Sequence, residues 1–169
     1  ILSELNTLID NVDKFYEDYE PTRATRAISD FVQEKLSNWY VRLSRRRFWK
    51  GEYQQDKIAA YQTLYECLLT VAKLAAPVAP FYTDKLYQDL IQNTQTEGFE
   101  SIHLSDFPVV NKAVIDPILE NRTNKARNIT SLALSLRKKE QIKVRQPLET
   151  LMVAVNSPEE KMEIELIQE

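Results

Sequence analysis

The chain has 169 residues, 43% of them hydrophobic and 28% charged, with a formal net charge of −3; this composition is ordinary for a soluble globular protein able to bury a core, and with only two Gly it argues against a turn-rich all-β fold. One Cys, one His and two Gly exclude an internal disulfide, a zinc site built from ligand pairs and a glycine-rich phosphate loop. No apolar run reaches the roughly 18 residues of a membrane span, and the opening ILSELNTLID has acids where a signal peptide has a basic flank.

Leu2, Leu5, Ile9, Val12, Phe15 (or Tyr16) and Tyr19 recur at steps of three and four, which predicts a first helix. Pro21 is placed to open a second, whose stripe of Ile28, Val32, Leu36, Trp39 and Leu43 carries it from about residue 21 to about 47. A third helix is predicted over about 54 to 75, with Ile58, Tyr61, Tyr65, Leu68, Ala72 and Ala75 on one side and Leu64, Leu69 and Val71 widening it. Apolar around most of its girth, it should be central. APVAP, Ala76–Pro80, ends or kinks it. A fourth helix is expected next, over about 81 to 93, with Thr83 as a cap.

Residues 94 to 113 read as a loop around Gly98, and a fifth helix should cover about 114 to 139 with Pro117 in its first turn. TLMVAV, Thr150–Val155, reads as a short strand, and Ser157-Pro158 as the start of a last helix. The expected fold class is therefore mainly all-α: an antiparallel helix bundle over 1–140, then a small strand-helix element over 141–169. Starting without Met inside an apolar pattern, and stopping without a C-cap, the sequence reads as a piece of a longer protein.

The residues assemble no nucleophile, base and orienting group, so no catalytic or metal-binding residue is assigned; His103, alone in SIHLSDFP, reads as a loop or packing residue. The charge distribution says more. Between Lys35 and Lys50 stand six basic residues and no acid, and between Arg122 and Arg145 eight basic residues against Glu140 alone. A chain with a slight acidic surplus thus keeps two cationic segments almost clear of carboxylates, with Glu140 the one exception.

In the first segment Arg42, Arg45, Arg46 and Lys50 fall at spacings of three and four and share a stripe if the helix persists. Guanidinium forks match phosphate oxygens. Trp49 beside them offers a face for a base; Trp39, on the apolar stripe, is assigned to the core, and Phe48 and Trp49 equally suit sealing the bundle end. In the second segment Lys138 and Lys139 are the candidates. Lys143 and Arg145 either meet RNA or anchor the tail, with Arg145 assigned the structural part and Pro147 fixing the turn. Read this way the chain binds a polyanion such as a nucleic acid, and single-stranded RNA loops are read by surfaces of this kind. Two other readings stay open: a helical protein-interaction module whose basic strip meets an acidic partner, and an inert spacer.

The string DFVQEKLSNWYVRLSRRRFW, Asp30–Trp49, resembles a characteristic segment of the isoleucyl-tRNA synthetases. YEDYEPTRATRAI, AAYQTLYECLLTVAKLAAPVAPFYTDKLYQDL, SIHLSDFP and IKVRQPLETLMVAV resemble further segments of that family, in family order. The paired Trp and SRRRFW favour the isoleucyl branch over the valyl and leucyl relatives, which remain the alternative. The resemblance implies the helical anticodon-binding domain of a cytoplasmic enzyme that joins isoleucine to its tRNA, using ATP and Mg²⁺ in a catalytic domain elsewhere. The family's His-Ile-Gly-His and Lys-Met-Ser-Lys-Ser signatures are absent from these residues, as is the domain that edits mischarged valine, so no cofactor is implied here. Implied partners are the isoleucine tRNA, RNA and not DNA, and the catalytic and C-terminal domains of the same polypeptide, the last carrying zinc in some members.

Overall fold

A computed structural model describes residues 1–50 and 52–167. The first apolar stripe forms α1, Leu2–Glu17, which buries Leu5, Leu8, Ile9 and Val12. It stops short of Tyr19, which adopts a left-handed backbone (φ 58°) and is 91% exposed instead of extending the stripe. Pro21 opens α2, Pro21–Asp30, as its fixed φ and missing donor favour.

From there the winding changes. Phe31–Val41 is a π-helix, in which the hydrogen bond spans five residues instead of four. The buried positions change with it, to Phe31 and Leu36, five apart, with Val41 half-buried five residues on. Stripe members chosen at α-helical spacing lose their place: Leu43 is 64% exposed and Trp39 is half-buried, outside the core. Ser44 then turns the chain (φ −82°, ψ 6°) into a separate short helix, α3, Arg45–Trp49. The single helix expected to residue 47 is thus three consecutive pieces.

α4, Gln55–Ala75, is central as expected; Ala72 of the predicted stripe is fully buried, while Ala60, Cys67 and Leu74 are buried too, each one position before a stripe member. The face of Tyr61, Tyr65 and Leu68 lines an open groove of about 780 Å³ between α4 and α5. The Tyr65 hydroxyl there is buried without a hydrogen-bond partner among the described residues. Burial pushes the Cys67 thiol up to about 12, consistent with an inert packing role.

α5, Pro80–Thr94, starts at the proline itself. Thr83 is no cap: it is buried and its hydroxyl donates to the Ala79 carbonyl at 2.9 Å. The main core joins α1, α2, the π-helix and α4, and a smaller cluster of Ala72, Tyr87 and Ile102 holds the loop after α5. Gly98 is needed in that loop, because a Cβ would stand 2.8 Å from the Tyr87 hydroxyl oxygen. Two 3-10 turns, Ile102–Leu104 and Lys112–Val114, punctuate it, and His103 is an exposed loop residue.

Asp84 fastens the loop. The Ser101 hydroxyl and the Ile102 amide donate to its Oδ1 at 2.7 and 2.9 Å, and these bonds hold the carboxyl below the usual carboxylate range. A carboxyl depressed by folding stabilises above its unfolded pKa, and that contribution is lost as pH falls through the folded value. Acidification into that range should therefore speed hydrogen exchange at the Ile102 amide before the α1–α4 core opens; simultaneous loss of both would contradict the local role.

Two compact units are formed, Ile1–Ile115 and Asp116–Glu169, so the division falls before the fifth predicted helix, which the sequence grouped with the bundle. That helix is α6, Pro117–Lys139, capped by Asp116, whose side chain accepts from the Ile118 and Leu119 amides. α7, Pro158–Glu165, has the expected cap, Ser157 accepting from the Glu160 amide at 3.2 Å while Glu160 accepts from the Asn156 amide at 2.8 Å. Lys125 of α6 pairs with Glu163 of α7. Thr150–Val155 is irregular, and no strand occurs among the described residues. The predicted strand is corrected here: a lone β-prone run has no ladder to join, and Leu148, Thr150 and Leu151 instead line a small pocket with Ala133, Leu136 and Arg137 of α6. The mainly all-α class stands.

Candidate nucleic-acid interface

α3 is five residues long and cannot be held by its own hydrogen bonds. Phe48 fixes it. Its side chain is 5% exposed and meets Tyr40, Trp49 and Tyr61 edge-on, with ring centroids 6.3, 6.3 and 5.2 Å away. The Tyr61 hydroxyl donates to the Phe48 carbonyl at 3.2 Å and the Tyr40 hydroxyl to the Ala60 carbonyl at 3.2 Å. Phe48 is thus the seal of this end of the bundle.

With Phe48 turned inward, helical geometry turns its neighbours outward. Arg42, Arg45, Arg46, Trp49 and Lys50 are all exposed, Trp49 at 69%. The expected stripe required an unbroken helix, and the turn at Ser44 separates Arg42 from Arg45 and Arg46. Lys50 leaves the helix on an extended backbone (φ −112°, ψ 156°), so it does not continue the line. The Arg45 guanidinium lies over the Trp49 ring, 5.5 Å from its centroid, a cation–π pair.

The six cations of this segment divide in two. Arg47 forks onto Asp56, Nε to Oδ2 at 2.9 Å and Nη2 to Oδ1 at 2.7 Å, and the carboxylate draws its pKa further up. Lys35 pairs with the nearly buried Glu4. These two tie helices together. Arg42, Arg45, Arg46 and Lys50 have no carboxylate within ion-pair distance among the described residues, and their charge is open to an external anion.

The second cationic segment lies in the second unit. Lys138 and Lys139 are exposed in the last turn of α6, where cations also complement the helix dipole. The anchor of the KVRQ turn is not Arg145, which is exposed, but Arg137. Its Nη1 donates to the carbonyls of Lys143 and Gln146 at 3.0 and 2.8 Å. Sequence spacing could not separate these two arginines, since both lie in the same acid-poor run. The Arg47–Asp56 fork was also missed; an Arg-rich run with an Asp nine residues later at a helix start was its only sequence signal.

Among the described residues no group of three or more His, Cys, Asp or Glu side chains could hold a metal ion, and no helix is long and apolar enough to cross a membrane. The arrangement offers exposed guanidinium and ammonium donors in and beside a short helix, one guanidinium lying on an aromatic face, which suits a ligand with negative charge and flat rings.

Comparison with known proteins bears on what that ligand is. Residues 1–152 match the family described as the anticodon-binding domain of tRNA ligase. The isoleucine–tRNA ligase of Cytophaga hutchinsonii is 56% identical over 169 residues, all of this chain but 15% of that protein. That of Bacteroides thetaiotaomicron is 56% identical over 168 residues, 99% of this chain and 14% of its own length. The Dehalococcoides mccartyi (strain CBDB1) ligase is 51% identical over 161 residues, 95% of this chain and 16% of its own length. The chain therefore spans about one seventh of the curated relatives it matches.

Proposed function

The chain belongs to the family of anticodon-binding domains of tRNA ligases, and from that premise we propose that it grips the anticodon stem-loop of an isoleucine tRNA through the α3 end of its first unit. It does so on behalf of a longer cytoplasmic isoleucine–tRNA ligase, whose ATP- and Mg²⁺-dependent chemistry proceeds in a catalytic domain elsewhere in the polypeptide. The observation that carries this reading is the division of the cations: Arg47 and Lys35 are held by internal carboxylates, while Arg42, Arg45, Arg46 and Lys50 stand exposed, with Arg45 over the Trp49 ring.

Phosphates of the loop meet the guanidinium forks, which fix position without reading sequence. An unstacked loop base lies on the Trp49 face, the usual way single-stranded RNA is held. Lys138 and Lys139, exposed in the last turn of α6, are proposed as RNA contacts of the second unit considered by itself.

A salt titration of tRNA binding by the ligase tests this. Replacing Arg42, Arg45 and Arg46 together by Gln should weaken binding and make the log–log salt dependence shallower by about 0.7 for each lost single-strand phosphate contact. Unchanged affinity and slope would leave the domain a spacer. Equal affinity for isoleucine tRNA and bulk tRNA would confine its role to non-specific attraction.

A further inference from the structure

We propose that Asp56 is a positioning and specificity-determining residue for tRNA binding: its fork with Arg47 locks the roll of α3 and withholds the Arg47 guanidinium from the RNA. The inference rests on the reading of α3 as the RNA-binding end of the first unit.

α3 is too short to hold its own bearing. Spacings of three and four place Arg45 and Arg46 on the face of Trp49, so the roll of the helix decides where all three point. Phe48 is one anchor. A ring packed edge-on against Tyr40, Trp49 and Tyr61 resists withdrawal more than rotation, since apolar burial is non-directional. Arg47 is the second anchor, about 100° around the axis from Phe48. Three bonds leave its guanidinium for one residue of α4: Nε to Asp56 Oδ2 at 2.9 Å, Nη2 to Oδ1 at 2.7 Å, and Nη2 to the Asp56 carbonyl at 3.1 Å. A planar fork gripped by side chain and backbone together has one orientation. Asp56 itself stands in the first turn of α4, where a carboxylate also suits the helix dipole.

Stability is not what this pair contributes. The two side chains are 37% and 69% exposed, and an exposed ion pair adds little to folding. What the pair changes is which charges reach RNA. Arg47 is the last of three consecutive arginines, and phosphate contacts give affinity without sequence information. A fork committed to Asp56 exchanges one such contact for a fixed α3, which favours a tRNA that fits over one that is merely charged.

Salt titrations of the full-length ligase with isoleucine tRNA and with bulk tRNA test the proposal. Asp56→Asn should free Arg47. Bulk tRNA should then bind about threefold more tightly at about 0.2 M salt, with a log–log slope steeper by about 0.7, the value for one added single-strand phosphate. Isoleucine tRNA should gain nothing, because α3 has lost its clasp, so its preference over bulk tRNA falls by about the same threefold. Arg47→Gln should also lower the preference, but with the bulk slope unchanged. Asp56→Glu, which keeps a carboxylate for the fork, should retain most of the preference. Asp89→Asn removes the same charge from an ordinary pair with Lys85 on α5, and should change neither slope nor preference.

A bulk slope made shallower by Arg47→Gln would overturn the proposal, since Arg47 would then be an RNA contact. So would an unchanged preference in Asp56→Asn, or an equal effect of Asp89→Asn. An Asp56→Asn ligase that melts early would reduce the fork to a structural tie and overturn it too. The variant with Arg42, Arg45 and Arg46 replaced by Gln, titrated alongside, keeps the two readings apart. If it binds tRNA as the parent does, α3 is not the RNA-binding end and both readings fall. If it binds weakly while Asp56→Asn keeps its preference, only the positioning role falls.

Discussion

Replacing Leu36 by Ala should lower the stability of the first unit by about 2–5 kcal/mol, the range for emptying a well-packed leucine site, while Leu68→Ala should cost clearly less. Leu36 is 4% exposed and belongs to the core cluster of α1, α2 and α4. That cluster also holds Leu5, Leu8, Ile9, Val12, Ile28, Phe31 and Leu74, all buried, so a void there is closed off from solvent. Leu68 is only half-buried and borders the open groove between α4 and α5; part of its surface is wet before the substitution, and solvent fills what is removed. The loss at Leu36 is a large share of the roughly 5–15 kcal/mol that holds most domains folded. Urea melts of the two variants give the comparison directly. Equal midpoint shifts would mean that the groove is closed in solution.

Trp49→Ala should weaken tRNA binding by about 1–3 kcal/mol, the usual contribution of one aromatic platform to a stacked base, with little effect on stability. The indole is largely exposed, so its removal empties no core; Phe48, one residue earlier, supplies the seal. Some of the loss would come through Arg45, whose guanidinium is steadied by the indole face and would become freer to wander. Substitution by Phe should restore most of the affinity if stacking is the cause. Binding isotherms for the three proteins, together with their melts, separate stacking from folding: a Trp49→Ala protein that melts early would place the indole in the structural role instead.

Helix positions were legible because their punctuation is chemical. Pro21, Pro80 and Pro117 each occupy the first helical position, and Ser157 caps α7 through its hydroxyl. Resemblance also led from SRRRFW to the right family, and the exposed cations of α3 were all chosen from spacing and composition. What spacing could not supply was the winding of Phe31–Val41. A fixed period of 3.6 assigns Leu43 and Trp39 to the core, and a five-residue hydrogen bond removes them from it. Nor does a one-dimensional pattern tell which arginine has a partner, because Asp56 is nine residues from Arg47 and reaches it only through the packing of α3 on α4. TLMVAV failed for a related reason: β-propensity expresses a fit to neighbouring strands, and this run has none among the described residues.

The π-helical stretch also governs aim. Each residue of ordinary α-helix rotates the rest of the chain by about 100°, whereas the wider winding of Phe31–Val41 rotates it less, so the bearing of Arg45, Arg46 and Trp49 is set upstream, in the pitch of a segment that carries none of them. Shortening that segment by one residue, with every cation and ring left in place, would let it tighten and swing the whole cationic turn around the bundle axis. Two chains with the same letters from Arg42 to Lys50 can thus point them in different directions, and a comparison of such chains has to align pitch as well as sequence.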